Sequence, residues 1–230
     1  LDESYPLCDY TIVDRPLQVN ENFIHPLFSK PLYGKFTDID TKKIISAIRE
    51  SDFRDAGRHD MKNDVSHISQ LSNNLYVLND KKFKFLKDII IKELYLYVSD
   101  VLKYTNEFEI TTSWFTKSSK GQSSNAHHHT NCMISGVLYL QTKENSGDIS
   151  FTDFNDRRYS LSTKEWNIFN SAFWKIKPVD GLLLMFPSEV YHTIHENESD
   201  ITRYSLAFNV MPKGLIGAPD SDSHMTIKFK

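Results

Sequence analysis

In this 230-residue chain the fold turns on Gly181-Leu182-Leu183-Leu184-Met185-Phe186-Pro187. It is an apolar run of strand length, entered through the tight turn Val179-Asp180-Gly181. A short apolar run bounded by turn residues reads as a buried strand. It opens into a polar lip that ends in His192. Working outward, the same pattern of short β-type runs separated by turns begins at Glu107. The predicted strands are 107–116, 131–141, 147–153, 172–178, 181–187 and 202–211, with a last one within 225–229. Asn145-Ser146-Gly147-Asp148 reads as a further turn.

The first hundred residues read differently. Residues 1–36 are mixed, Pro-punctuated and partly extended. A helix is predicted to start at Thr41, with Asp38 or Asp40 as its cap. Residues 52–74 are polar and weakly periodic, and are expected to form a long loop that acts as a lid. Asn79-Asp80 then caps a longer helix in which Leu86, Ile90, Leu94, Val98 and Leu102 recur near the helical period. Such a stripe is expected to pack on the outside of a sheet. With neither repeat nor linker in view, residues 1–230 read as a single domain. The expected class is mainly β with flanking helices: a helical and irregular portion, 1–105, braces a double-stranded β-helix (jelly roll) over 106–230.

Composition excludes several alternatives. The charged fraction is 25% and the formal net charge −3, so no general basic field argues for a nucleic-acid partner, although Arg157 and Arg158 form a local basic pair. Fifteen Phe and eleven Tyr against eight Gly and eight Pro suit a compact β-rich core rather than a disordered chain. Two cysteines, Cys8 and Cys132, imply no disulfide framework and are expected to be free thiols. There is no run of 18 apolar residues, and Leu1-Asp2-Glu3-Ser4 has no signal-peptide character. A soluble cytoplasmic protein without a membrane partner is expected; nothing in the sequence sets an oligomeric state.

The residues that carry chemistry are histidines. In His127-His128-His129 the first and third lie on one face if the segment is a strand, because side chains alternate with period 2. His192, from a distant segment, can then complete a facial metal site. Imidazole suits several first-row metals, and in an iron(II) site three protein ligands leave positions open. His128 is expected to point away, and His195, three residues past His192, to lie on the opposite face. Asp148, Asp153 or Glu189 could supply a carboxylate if the strand is bulged.

Arg203-Tyr204-Ser205 begins the strand after His192, with Arg203 and Ser205 on one face. A guanidinium holds a carboxylate by two parallel hydrogen bonds, and a serine hydroxyl adds a third. Tyr139 shares the parity of His127 and is either a core tyrosine or a further member of this anchor. Asn131 shares that parity too and could bond a metal-bound keto acid. Trp114 and Asn209 read as structural or supporting at most.

Residues from Trp114 to Asn209 resemble the 2-oxoglutarate/Fe(II)-dependent oxygenase family of bacteria and tailed phages, itself distantly similar to the prolyl 4-hydroxylases. The matching segments are Trp114, Gly121, His127-His128-His129, Ile134-Ser135-Gly136-Val137-Leu138-Tyr139-Leu140 and Ser146-Gly147-Asp148-Ile149-Ser150-Phe151. Gly181 to Ser188 with His192, and Arg203 to Asn209, complete the set. The resemblance implies that His127 and His192 bind Fe(II) and that Arg203 anchors 2-oxoglutarate. His129 stands where prolyl hydroxylases carry aspartate. It implies dioxygen as a co-substrate and hydroxylation of a peptide side chain or small molecule, with release of succinate. A cupin-like metal- or sugar-binding jelly roll without turnover is the alternative from another class.

Overall fold

The computed structural model describes residues 24, 28–48, 53–55, 67–154, 161–218 and 220–229. Expectations for residues 1–23, for Cys8, for the middle of the 52–74 segment and for Arg157 and Arg158 lie outside these.

Twelve described strands form two antiparallel sheets. They are β1 (Tyr33–Phe36), β2 (Phe53–Asp55), β3 (Gln70–Ser72), β4 (Glu107–Ser118), β5 (Ser124–His127), β6 (Ile134–Gln141), β7 (Ile149–Thr152), β8 (Phe173–Ile176), β9 (Leu182–Pro187), β10 (Tyr191–Ile194), β11 (Arg203–Ile216) and β12 (Met225–Ile227). The major sheet runs β1-β9-β6-β11-β4-β3-β2, with β12 on β11, and the minor sheet runs β5-β10-β7-β8. This is the double-stranded β-helix expected from the strand spacing.

Parity explains why the apolar run at 182–186 is buried throughout. Leu183 and Met185 face outward into the large core, alongside Ile134, Leu138, Leu140, Tyr204, Leu206, Phe208 and Val210 from the neighbouring strands. Leu182, Leu184 and Phe186 face inward and join Tyr139, Ile149 and Phe151 in a small core between the two sheets. The outer core is closed by α1 (Thr41–Ile48) through Ile44, Ile45 and Ile48, and by α2 (Lys84–Leu96) through Leu86, Ile90 and Leu94. The predicted stripe therefore packs as expected, and Val98 and Leu102 continue it through a wider turn over Tyr97–Val101. Of the two cap candidates for α1, Asp40 is used: its Oδ1 accepts the Lys43 N–H at 3.1 Å. Before α2, the Asp80 carboxylate accepts the Lys82 N–H, and a 3-10 turn intervenes.

At two places the structure corrects the expected layout. The 52–74 segment is not loop throughout, because Phe53–Asp55 pairs with Gln70–Ser72 and the latter pairs with β4. Three-residue strands at a sheet edge bury too little to show a period of 2, so the sequence carries no strand signal there. His192 is not in a lip beyond the sheet. It lies within β10, between β5 and β7.

Gly136 permits a close approach of side chain to backbone. An added Cβ there would lie 2.2 Å from the ring of Phe208, its register partner on β11. Among the described residues no helix is long and apolar enough to cross a membrane.

Candidate metal centre

His127 and His192 are register partners on β5 and β10, with ring centroids 4.2 Å apart. His129 lies just past the end of β5, where its N–H donates to the Ser188 carbonyl at 3.0 Å. That bond keeps the segment extended, so the alternation predicted for a strand survives beyond it. The His129 ring lies 5.3 Å from His127 and 5.2 Å from His192. One nitrogen from each of the three rings lies within 4.8 Å of the others, the only group of its kind among the described residues. His128 turns outward onto Tyr191 at 4.6 Å, and His195 bonds Ser150 Oγ at 3.0 Å, outside the cluster.

In each of the three rings Nδ1 faces an oxygen. The partners are the Asn125 carbonyl at 2.7 Å, Asn209 Oδ1 at 2.6 Å and the Val190 carbonyl at 3.1 Å. An amide carbonyl oxygen only accepts, so Nδ1 carries the proton and the lone pair resides on Nε2. This is the usual preparation of a metal-binding histidine, whose other nitrogen is held by an oxygen. Burial pushes the His192 pKa down to about 3, with the His127 imidazole adding to the shift. Burial also lowers His129, against the opposing hydrogen bond that its Nδ1–H donates to Asn209. Both rings are therefore neutral, ligand-ready imidazoles near pH 7.

None of the three carboxylates weighed as ligands reaches the cluster. Asp148 pairs with Lys175 at 3.0 Å, Glu189 is exposed beside Lys30, and Asp153 is exposed.

The histidines open onto a cavity of about 710 Å³ between the sheets. Among the described residues its lining contains no carboxylate, and the one permanently charged side chain there is Arg203. This arginine is only 2% exposed, and Nη1 donates to the carbonyls of Ser146 and Gly147 at 2.7 and 2.9 Å. Gly147 makes that seat possible. Its φ is +91°, and an added Cβ would lie 2.2 Å from the His195 carbonyl oxygen and 2.6 Å from Arg203 Nη1. Ser205 and Tyr139 are register partners on β11 and β6 and both line the cavity. The Tyr139 hydroxyl is buried without a hydrogen-bond partner, and burial raises its pKa to about 12 although the Arg203 charge opposes the rise.

Asn131, in contrast, is not brought to the cavity. It is exposed at a left-handed turn, φ 58°, which ends the alternation before β6 begins. Asn209, read from the sequence as structural or supporting at most, sits behind His129. Two features were not foreseen. Ser135 stands beside Asn209, although its parity with Tyr139 was a usable signal. Ile68 and Leu71 reach the cavity from the N-terminal part, held by a bridge from Ile68 to Ser123 that no local pattern announces. Trp114 lines the cavity with its ring 5.9 Å from His129.

Residues 112–209 match the family model described as "Putative 2OG-Fe(II) oxygenase". No curated protein matches the chain. Among solved structures, the fold is similar to a prolyl 4-hydroxylase from Pseudomonas putida (TM-score 0.56, 16% identity, covering 81% of this chain and 95% of that one). It is also similar to HygX from Streptomyces hygroscopicus, solved with nickel, 2-oxoglutarate and hygromycin B (TM-score 0.55, 11% identity, 80% and 83% covered). A prolyl hydroxylase from Trichoplax adhaerens, in complex with a hypoxia inducible factor peptide fragment, is a third (TM-score 0.56, 12% identity, 79% and 83% covered).

Proposed function

We propose that this chain, whose residues 112–209 match the 2OG-Fe(II) oxygenase family model, is an oxidoreductase that hydroxylates a C–H bond of a peptide side chain such as proline or of a small molecule. His127, His129 and His192 would hold Fe(II), and Arg203, Ser205 and Tyr139 would hold the far carboxylate of 2-oxoglutarate. When bound, these supply with dioxygen a two-electron oxidation: one oxygen atom enters the substrate, the other enters succinate, and carbon dioxide leaves.

The residues fit that pair of groups. Three imidazoles, each with Nδ1 held by an oxygen and Nε2 left for a metal, suit a divalent ion. A buried guanidinium beside a phenol that lacks a partner suits a carboxylate, since both donate to it and a buried hydroxyl left unpaired is costly. This pairing at the end of the histidine cavity carries the reading. A metal- or sugar-binding jelly roll without turnover has no use for it. Around the site Val137, Ile149, Ile194 and Trp114 supply apolar walls. Because His129 replaces an acid, the loaded site holds one more positive charge than a two-histidine, one-carboxylate site.

Anaerobic addition of Fe(II) and 2-oxoglutarate tests this. A weak visible charge-transfer band is expected, and His127→Ala or His192→Ala removes it. Arg203→Ala weakens 2-oxoglutarate binding by roughly a hundredfold, in line with loss of a buried charge-assisted pair. Equal binding of 2-oxoglutarate by wild type, metal-free protein and the Arg203 variant overturns the reading.

A further inference from the structure

Behind His129 lies a closed hydrogen-bond chain. Asn209 Oδ1 faces His129 Nδ1 at 2.6 Å and accepts the Ser135 hydroxyl at 3.1 Å. Ser135 Oγ is 2.9 Å from Ser188 Oγ, and both serines are about 1% exposed. On its other side Asn209 Nδ2 donates to Thr112 Oγ1 at 3.1 Å. The strands place these groups: Asn209 pairs with Ser135 on β6 and with Thr112 on β4. The proton count closes. Ser188 donates to Ser135 and Ser135 to Asn209, which leaves the His129 Nδ1–H to bond Asn209 Oδ1 at 2.6 Å, with Ser135 Oγ a longer second acceptor at 3.1 Å.

The other two histidines have backbone carbonyls behind them, which no side-chain change can alter. His129 alone depends on a side chain, one that could turn over. With its NH₂ toward the ring, Asn209 would favour the tautomer that protonates Nε2, and the ring could no longer bind a metal.

We propose that Asn209, braced by Thr112 and Ser135, is the positioning residue for His129: it holds the ring in the Nδ1–H tautomer and aims Nε2 at the point shared with His127 and His192. The inference rests on the metal-site reading above and adds what controls its third arm. It ties the major sheet, through β11, to a ligand from the minor-sheet side.

The test uses the whole protein, Mn(II) as a redox-stable probe, and nitrogen NMR of the imidazoles in metal-free protein. Wild type is expected to show His129 protonated on Nδ1. Asn209→Leu should scramble that tautomer and weaken Mn(II) binding by roughly ten- to a hundredfold, the range for loss of a partner behind a metal-binding histidine. Asn209→Asp keeps an acceptor in place and should restore both the Nδ1–H signal and the affinity. A merely structural asparagine would not be rescued in this way, and thermal melts of each variant check that folding is intact. Wild-type affinity in a folded Asn209→Leu protein, or an Nε2–H tautomer in wild type, overturns the proposal. Absence of Mn(II) binding by wild type would instead count against the metal-site reading itself.

Discussion

Tyr139 is the residue at which stability and function pull apart. Its hydroxyl is buried and unpartnered, so Tyr139→Phe should leave the ligand-free protein as stable as wild type or more stable, by about 1 kcal/mol. The same change should weaken 2-oxoglutarate binding. Urea melts and a 2-oxoglutarate titration on one preparation check both signs, and a variant that is markedly destabilised would sink the argument. Alkaline pH sharpens the contrast. The phenol titrates near 12 when folded and near 10 when unfolded. The stability it contributes is therefore intact below pH 10 and lost as pH rises from 10 toward 12, by about 1.4 kcal/mol per unit. The Phe variant lacks this loss, so the gap in its favour should widen over that window.

At the scale of elements, the packing of β6 on β11 depends on a missing side chain. Gly136 leaves room for the Phe208 ring, which a Cβ would meet at 2.2 Å. Gly136→Ala should cost about 1–3 kcal/mol by overpacking. Phe208→Leu should also be destabilising, since it empties part of a core position. Combined, the two should cost less than their sum by about 1 kcal/mol, because the smaller Leu gives space to the new methyl. Denaturant midpoints of the four proteins measure that coupling, and simple additivity would show that the contact is not what constrains this strand pair.

For the molecule as a whole, a metal ion would add a direct link between parts of the two sheets. His127 and His192 belong to the minor sheet, while His129 is tied through Asn209 to the major one. Loading with Mn(II) at a hundred times its Kd should therefore raise stability by about 2.7 kcal/mol. For a chain of this length that is roughly 5–10 °C in Tm. His127→Ala should abolish the shift, and a thermal melt unmoved by metal in wild type would count against the site.

Much of this was legible from residues alone, for a physical reason: alternation along a strand is a local property. It put Arg203 with Ser205 and His127 with His129. A hydrophobic stripe did the same for α2. Relations between segments far apart in the chain had to wait for the folded molecule. These are the register that sets His127 opposite His192, the seat of Arg203 on the carbonyls around Gly147, the edge strands flanking residues 56–66, and the place of Asn209 behind His129. Asn131 shows the limit from the other side, since one left-handed residue breaks the alternation on which its expected role depended. Period and parity are carried by neighbouring residues, whereas convergence on a point is set by how the two sheets close.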